Sequence, residues 1–155
     1  MRDIFFEEVR RNSKLISEFV EKNGPDNDKT HYYNMLLFEA RDQVINLSII
    51  ARKEGLLTLE ETAEMMCKTG MEQYLRDMIM LIVDGTDPDL VEELCYSRYF
   101  SKGFSGYEGL IFLIYMSGGL ALQTGHNPRI IEENIKWLLP DSVTPYVEYI
   151  DYRFL

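Results

Sequence analysis

The 155-residue chain is poor in the side chains that most often carry chemistry, with only two cysteines and two histidines. Cys67 and Cys95 lie in helical patterns without metal-site spacing, which predicts two buried thiols in a reducing compartment. A nucleophilic cysteine also needs a nearby base, and only His31 and His126 are histidines. The sequence therefore predicts neither a metal nor a cofactor, and it argues against thiol catalysis.

The sequence also lacks an apolar run long enough to cross a membrane. Its longest run, residues 109–122, contains Ser117, Gly118 and Gly119, whereas a membrane helix needs roughly 20 apolar residues. The first ten residues carry acids where a signal peptide would be apolar. We therefore expect a cytoplasmic protein without a membrane span.

Basic residues are scarce relative to acidic ones: 16 Lys and Arg stand against 26 Asp and Glu, a net charge of −10. Nucleic-acid binding depends on clustered cations that release phosphate counterions, so this balance argues against nucleic acid as a partner. A basic protein surface fits better, with association faster at low salt. The same charge also keeps a protein soluble.

Apolar residues recur at helical spacing along most of the chain, with glycine and proline between the periodic stretches. We predict a single all-α domain over residues 1–155, a compact bundle of seven to eight helices. The residues 107–122 are apolar almost all round, which is typical of a central buried helix. Besides a helix that begins near residue 88, the predicted helices cover residues 4–21, 28–51, 58–68, 71–83, 107–122, 127–139 and 142–151.

Two blocks of sequence recur in the same order, which indicates a degenerate internal helical repeat. GTDPDLVEE at residues 85–93 returns as GHNPRIIEE at residues 125–133. EGLLTL at residues 54–59 returns as EGLIFL at residues 108–113. The repeat divides the chain into three parts: N-terminal helices (1–50), a charged segment with the first repeat (51–98) and a second, shorter repeat (105–140).

The repeated block has the chemistry of a helix–turn–helix joint. A glycine closes one helix, Asp87 or Asn127 can cap the next, and a proline occupies its first turn. The counterpart of Arg52 in the second copy is Gly106, so the charged surface is not duplicated. We predict that the first copy supplies recognition and the second supplies packing.

Residues 51–61, ARKEGLLTLEE, place a basic pair, a glycine, an apolar centre and an acidic pair close together. Thr58 and Glu61 match a capping box, which gives Glu61 a local structural role and leaves Glu60 to point outward. The pattern favours an interaction surface over a reaction centre. The alternative is a set of solvated surface charges, since exposed ion pairs are worth under about 1 kcal/mol each.

The run ARKEGLLTLE at residues 51–60, followed by an apolar helix that ends in VDGTD at residues 83–87, resembles the MotA/TolQ/ExbB group. Within this group the resemblance is to the cytoplasmic domain of the flagellar stator protein MotA, and it covers residues 43–98. In that family the domain lies between two transmembrane helices, and its charged residues engage the rotor. The family's arginine and glutamate fall on Arg52 and Glu60.

The resemblance implies a non-enzymatic protein–protein interaction module whose partner is a rotor switch protein or a stator component. The chain departs from the family in lacking the transmembrane helices that conduct ions, so it cannot conduct them. Without these helices a role in competition at the rotor, in assembly or elsewhere stays open. The predicted partner-binding residues are Arg52, Lys53, Glu60, Glu61 and Glu64.

Two other functions stay open. A small-molecule-binding regulatory domain or an enzyme would use a pocket between helices, with Glu108, Tyr115 and His126 as polar candidates. These residues form no nucleophile–base pair at sequence spacing, so we predict that the chain is not an enzyme. A scaffold would instead form a homodimer, in which the apolar stripe from Tyr33 to Ala51 pairs across a two-fold axis.

Overall fold

The computed structural model describes residues 2–143, which fold into seven α-helices with no strand among them. The predicted all-α bundle is confirmed, although its last predicted helix (142–151) lies almost wholly outside the described residues. None of the described helices has both the length and the apolarity needed to cross a bilayer. The helices are α1 (Arg2–Asn23), α2 (Asp28–Glu54), α3 (Leu59–Glu64), α4 (Glu72–Val83), α5 (Pro88–Lys102), α6 (Gly106–Gln123) and α7 (Pro128–Leu138), and a 3₁₀ turn (Leu56–Thr58) precedes α3.

Helix α6 forms the centre of the bundle, as its sequence predicts. It packs against α1, α2, α4, α5 and α7. Because it is apolar on every side, full burial is the arrangement that removes most of its surface from water. Residues 109–116 are all buried, as are Gly118, Gly119 and Leu122.

Two glycines of α6 let neighbouring helices approach its backbone. A Cβ atom at Gly118 would overlap the side chain of Val44 on α2. At Gly119 it would lie 2.5 Å from the sulfur of Met78 on α4. A pair of glycines can either end a helix or let a neighbouring helix approach closely. Because α6 continues to Gln123, Gly118 and Gly119 serve the close approach of neighbouring helices.

The apolar stripe of α2 faces the core. Ala40, Val44 and Leu47 are buried, and α2 packs against α6 and α7. The middle of the stripe is therefore taken up by the chain's own core, which does not support pairing through this stripe, and the homodimer stays a prediction. Arg41, which the helical pattern places on the polar side, has only 5% of its side chain exposed, with its Nε bonded to Asp42 Oδ1 at 2.9 Å.

The two repeated joints have the same backbone geometry. Gly85 and Gly125 have φ values of 81° and 82°, a conformation that side chains disfavour. Asp87 and Asn127 each accept a hydrogen bond from the backbone N–H two residues on, at 3.1 and 2.9 Å. The joint between α1 and α2 is similar, since Asn27 caps α2 by accepting a hydrogen bond from the Lys29 N–H at 2.8 Å.

The second pair of matched blocks does not share a structure. Gly55 ends α2 with a φ of 93°, and the 3₁₀ turn follows it. Gly109 instead lies inside α6, where a Cβ atom would overlap the side chain of Asn12. The helical repeat is therefore a repeat of joints, and the duplication of the longer unit stays a prediction.

Candidate functional site

The predicted recognition segment is the end of α2, the 3₁₀ turn and α3. The N–H of Gly55 donates to Ala51 O at 2.8 Å, which closes α2 before the chain changes direction. Leu59 and Ala63 are fully buried, one turn apart on the inner side of α3. These two contacts hold the short helix on the core and turn its other side toward solvent.

The five predicted partner-binding residues are all exposed. Two of them follow each other at the end of α2, and the other three lie on α3, so the structure brings both groups to one segment. The acids in the first turn of α3 are stabilised by the positive end of its dipole. The exposed residues are Arg52, Lys53, Glu60, Glu61 and Glu64.

The predicted capping box is wrong. The backbone of Thr58 is helical, with φ −68° and ψ −17°, because it already belongs to the 3₁₀ turn. In that conformation its hydroxyl reaches back and donates to Gly55 O at 2.7 Å, and it does not cap α3. Glu61 therefore does not belong to a capping box. Like Glu60, it lies exposed on α3.

Two apolar residues complete this surface, and sequence reasoning missed them. Leu57 is 76% exposed and Met65 is 84% exposed, in the turn before α3 and directly after it. The sequence held one indication of their exposure: at helical spacing, neither Leu57 nor Met65 falls on the face that Leu59 and Ala63 share. An exposed apolar side chain with charges around it has the composition of a protein interface more than of a catalytic site.

A second polar cluster joins α1 to α5 and α6. The Tyr99 hydroxyl donates to Glu8 Oε1 at 2.7 Å and accepts from Asn12 Nδ2 at 2.8 Å. Asn12 Oδ1 accepts from the Gly106 N–H at 2.9 Å. Arg11 Nε donates to Glu8 Oε1 at 3.0 Å. Because Asn12 and Tyr99 are buried and their groups are satisfied, this cluster has the properties of a structural network.

The network also shifts the ionisation of its members. Burial acts to raise the pKa of Glu8, but hydrogen bonds from Arg11 and Tyr99 outweigh it and lower the pKa below its ordinary value. Burial and the bond to Glu8 raise the pKa of Tyr99. Glu8 is therefore held as an anion and Tyr99 as a neutral phenol, which is the combination that keeps the bond between them strong.

The three residues proposed for an enzyme or sensor pocket do not meet. Glu108 lies exposed in the first turn of α6. Tyr115 is buried seven residues later, roughly 10 Å along the helix, and donates to Gln43 Oε1 at 3.2 Å. His126 lies beyond the far end of α6 and lines a cavity of about 500 Å³ between α1, α5, α6 and α7. They form no catalytic group.

Only one of the two cysteines is buried, whereas two buried thiols were predicted. Cys95 is buried, which raises its pKa to about 12. Cys67 is exposed because α3 ends at Glu64, before the predicted Lys68. A hydrogen bond to Glu72 raises the pKa of the Cys67 thiol as well. Both groups are held as thiols, which are poor nucleophiles.

The candidate site is thus an exposed patch of apolar and charged side chains carried by α2, the 3₁₀ turn and α3. Over residues 2–143, no group of three or more His, Cys, Asp or Glu side chains is placed to hold a metal ion. No model of a known protein family matches the chain, and neither a curated protein nor a solved structure matches it significantly.

Proposed function

We propose that the chain is a non-enzymatic protein–protein interaction module. The observation that carries this proposal is the exposure of Leu57 and Met65 between charged residues of both signs. Such side chains are mostly exposed in the free protein and gain burial in a complex. We call this the α2–α3 surface; it consists of Arg52, Lys53, Leu57, Glu60, Glu61, Glu64 and Met65.

The basic, apolar and acidic residues of the α2–α3 surface follow one another in an order that a complementary partner would recognise. Basic residues lie at the end of α2, acidic residues lie on α3, and Leu57 lies in the turn between them. A partner with an apolar pocket flanked by an acidic and a basic patch would be complementary. The resemblance to the stator cytoplasmic domain makes a rotor switch protein or a stator component the first partner to test.

The test is calorimetric titration of the purified chain with a rotor switch protein and with the cytoplasmic part of a stator. We expect Leu57→Asp and Arg52→Glu each to weaken binding at least about tenfold, because each removes an apolar or charged contact worth about 1.4 kcal/mol. Glu60→Lys should do the same. Since all three side chains are exposed, helicity by circular dichroism should stay at the wild-type value.

The matched controls are Leu90→Asp and Arg129→Glu, exposed residues on α5 and α7 that lie outside the α2–α3 surface. They should bind like the wild type. If neither partner binds the wild-type chain, or if the controls lose as much affinity as the three variants, the proposal is wrong.

A further inference from the structure

A groove of about 670 Å³ lies between α4 and α5, over the side of α6. This volume falls within the range of roughly 300–1,000 Å³ that small-molecule sites occupy. Two of its apolar residues are methionines, whose flexible side chains adapt to ligand shape. The apolar part of its wall consists of Met78, Met80, Leu81, Leu94, Cys95 and Phe112.

The polar end of the groove holds two arginines around one carboxylate. Arg76 NH1 lies 3.7 Å from Asp77 Oδ1, and Arg98 NH1 lies 3.8 Å from Asp77 Oδ2. Both distances exceed the roughly 2.7–3.2 Å of a hydrogen bond, so neither guanidinium is well satisfied by Asp77. The Nε of Arg76 is buried and has no hydrogen-bond partner.

This end therefore carries one excess positive charge in a protein whose net charge is −10. The guanidinium of Arg98 also lies 5.7 Å from the ring centre of Tyr74, another residue that lines the groove. Asp84 lines the other end, seven residues or roughly 10 Å along α4 from Asp77. The groove thus has a cationic end, an apolar middle and an anionic end.

We propose that this groove binds an amphiphilic monocarboxylate, such as a fatty acid or an aryl-alkanoic acid. The carboxylate accepts hydrogen bonds from Arg76, whose Nε has no partner in the free protein, and from the half-exposed Arg98, and the apolar tail lies against the methionines and leucines. One negative charge matches the one excess positive charge at this end. A dianion would add repulsion from Asp77, and a second anionic group at the far end would meet Asp84.

The site is independent of the proposed function, because the groove shares no residue with the α2–α3 surface. Ligand binding here would add a sensing role to an interaction module. The two proposals can fail separately: Leu57→Asp should bind the ligand as the wild type does.

The probe is decanoate, kept below its micellar concentration, and the readout is the methyl NMR signals of the eight methionines. We expect Met78 and Met80, which line the groove, to shift and saturate with decanoate. Met35 and Met65 are exposed elsewhere and should not shift. Acetate, which has the same head and no tail, should leave all signals in place.

Variants test the role of the arginines. Arg98→Gln should weaken decanoate binding about tenfold, the effect of losing one charge-assisted hydrogen bond, and Arg76→Gln should do the same. Neutral decanol should bind more weakly than decanoate and should be insensitive to both variants. Arg129→Gln on α7 is the control and should bind decanoate like the wild type.

Circular dichroism and thermal melting identify any variant that fails to fold. Arg98 is about half exposed, so its replacement should leave the fold intact even if Arg76→Gln does not. The proposal is overturned if decanoate leaves Met78 and Met80 unshifted. It is equally overturned if decanol binds as tightly as decanoate, or if the folded Arg98→Gln protein binds decanoate like the wild type.

Discussion

Glu8 shows how a single ionised group contributes to this bundle. Only 14% of its side chain is exposed, and it accepts hydrogen bonds from Tyr99 on α5 and from Arg11 on its own helix. We expect Glu8→Gln to lower the free energy of unfolding by about 1–2 kcal/mol near neutral pH, because the bonds to a charged acceptor become bonds to a neutral one. Urea denaturation followed by circular dichroism measures this.

The loss should depend on pH in a defined direction. The pKa of Glu8 is lowered on folding from an ordinary value of 4.5, so its stabilisation is present above that value and is lost as pH falls through the folded pKa. The difference between Glu8→Gln and the wild type should therefore shrink below about pH 4.5. Glu7→Gln, its exposed neighbour on α1, is the control, and an equal pH response from it would contradict this account.

At the scale of elements, the two equivalent joints should respond alike to loss of their caps. Asp87→Ala and Asn127→Ala each remove the acceptor for a backbone N–H at the start of a helix. We expect each to cost about 1 kcal/mol of unfolding free energy, measured by thermal or urea denaturation. Asp84→Ala is the control: its carboxylate lies at the end of α4, where the dipole is unfavourable, so its loss should cost little. Equal losses for Asp84→Ala and Asp87→Ala would mean that the cap bond is not the cause.

Local chemistry explains why these joints were predictable from sequence. A positive-φ glycine, an Asp or Asn cap and a proline in the first turn each act within a few residues. Helix α6 was predictable for a related reason, since a segment that is apolar on all sides has no stable position except the centre.

The rest depended either on local backbone geometry that the sequence pattern does not fix or on contacts distant in sequence. Thr58 belongs to an S/T-x-x-E pattern, yet the 3₁₀ turn rotates its hydroxyl toward Gly55. Arg41 fits a polar helix face, but α2 is packed closely enough to bury it. The five charged residues of the α2–α3 surface were predicted from their pattern and the family resemblance. Leu57 and Met65 were not predicted, because their helical positions indicate exposure only once Leu59 and Ala63 are known to be the packed side of α3.

At the scale of the whole molecule, the net charge of −10 acts against compactness. Raising sodium chloride from about 0.01 to 0.15 M shortens the Debye length from roughly 30 to 8 Å and screens this repulsion. We expect Tm to rise by roughly 2–4 °C, the shift that about 1 kcal/mol produces in a chain of this size. The measurement is calorimetry over a salt series.

The control for this salt effect is a variant with Glu60, Glu61 and Glu64 all changed to glutamine. Because three exposed negative charges are gone, its Tm should rise less with salt. A Tm that falls or stays constant as salt increases would show that attractive pairs outweigh the net repulsion. The same salt should slow association with a partner that is attracted by charge.

The central position of α6 also sets the order in which the chain can fold as it is made. Helices α1 and α2 bury their apolar faces against α6, but about 80 residues separate the end of α1 from the start of α6. At translation rates of roughly 5–20 residues per second, some 4–16 seconds pass between the synthesis of α1 and the start of α6. During that time the central helix on which α1 packs is missing, so the cover of Ile16, which is fully buried in the folded protein, is incomplete. We therefore expect the nascent chain to bind chaperones before it is a folded domain.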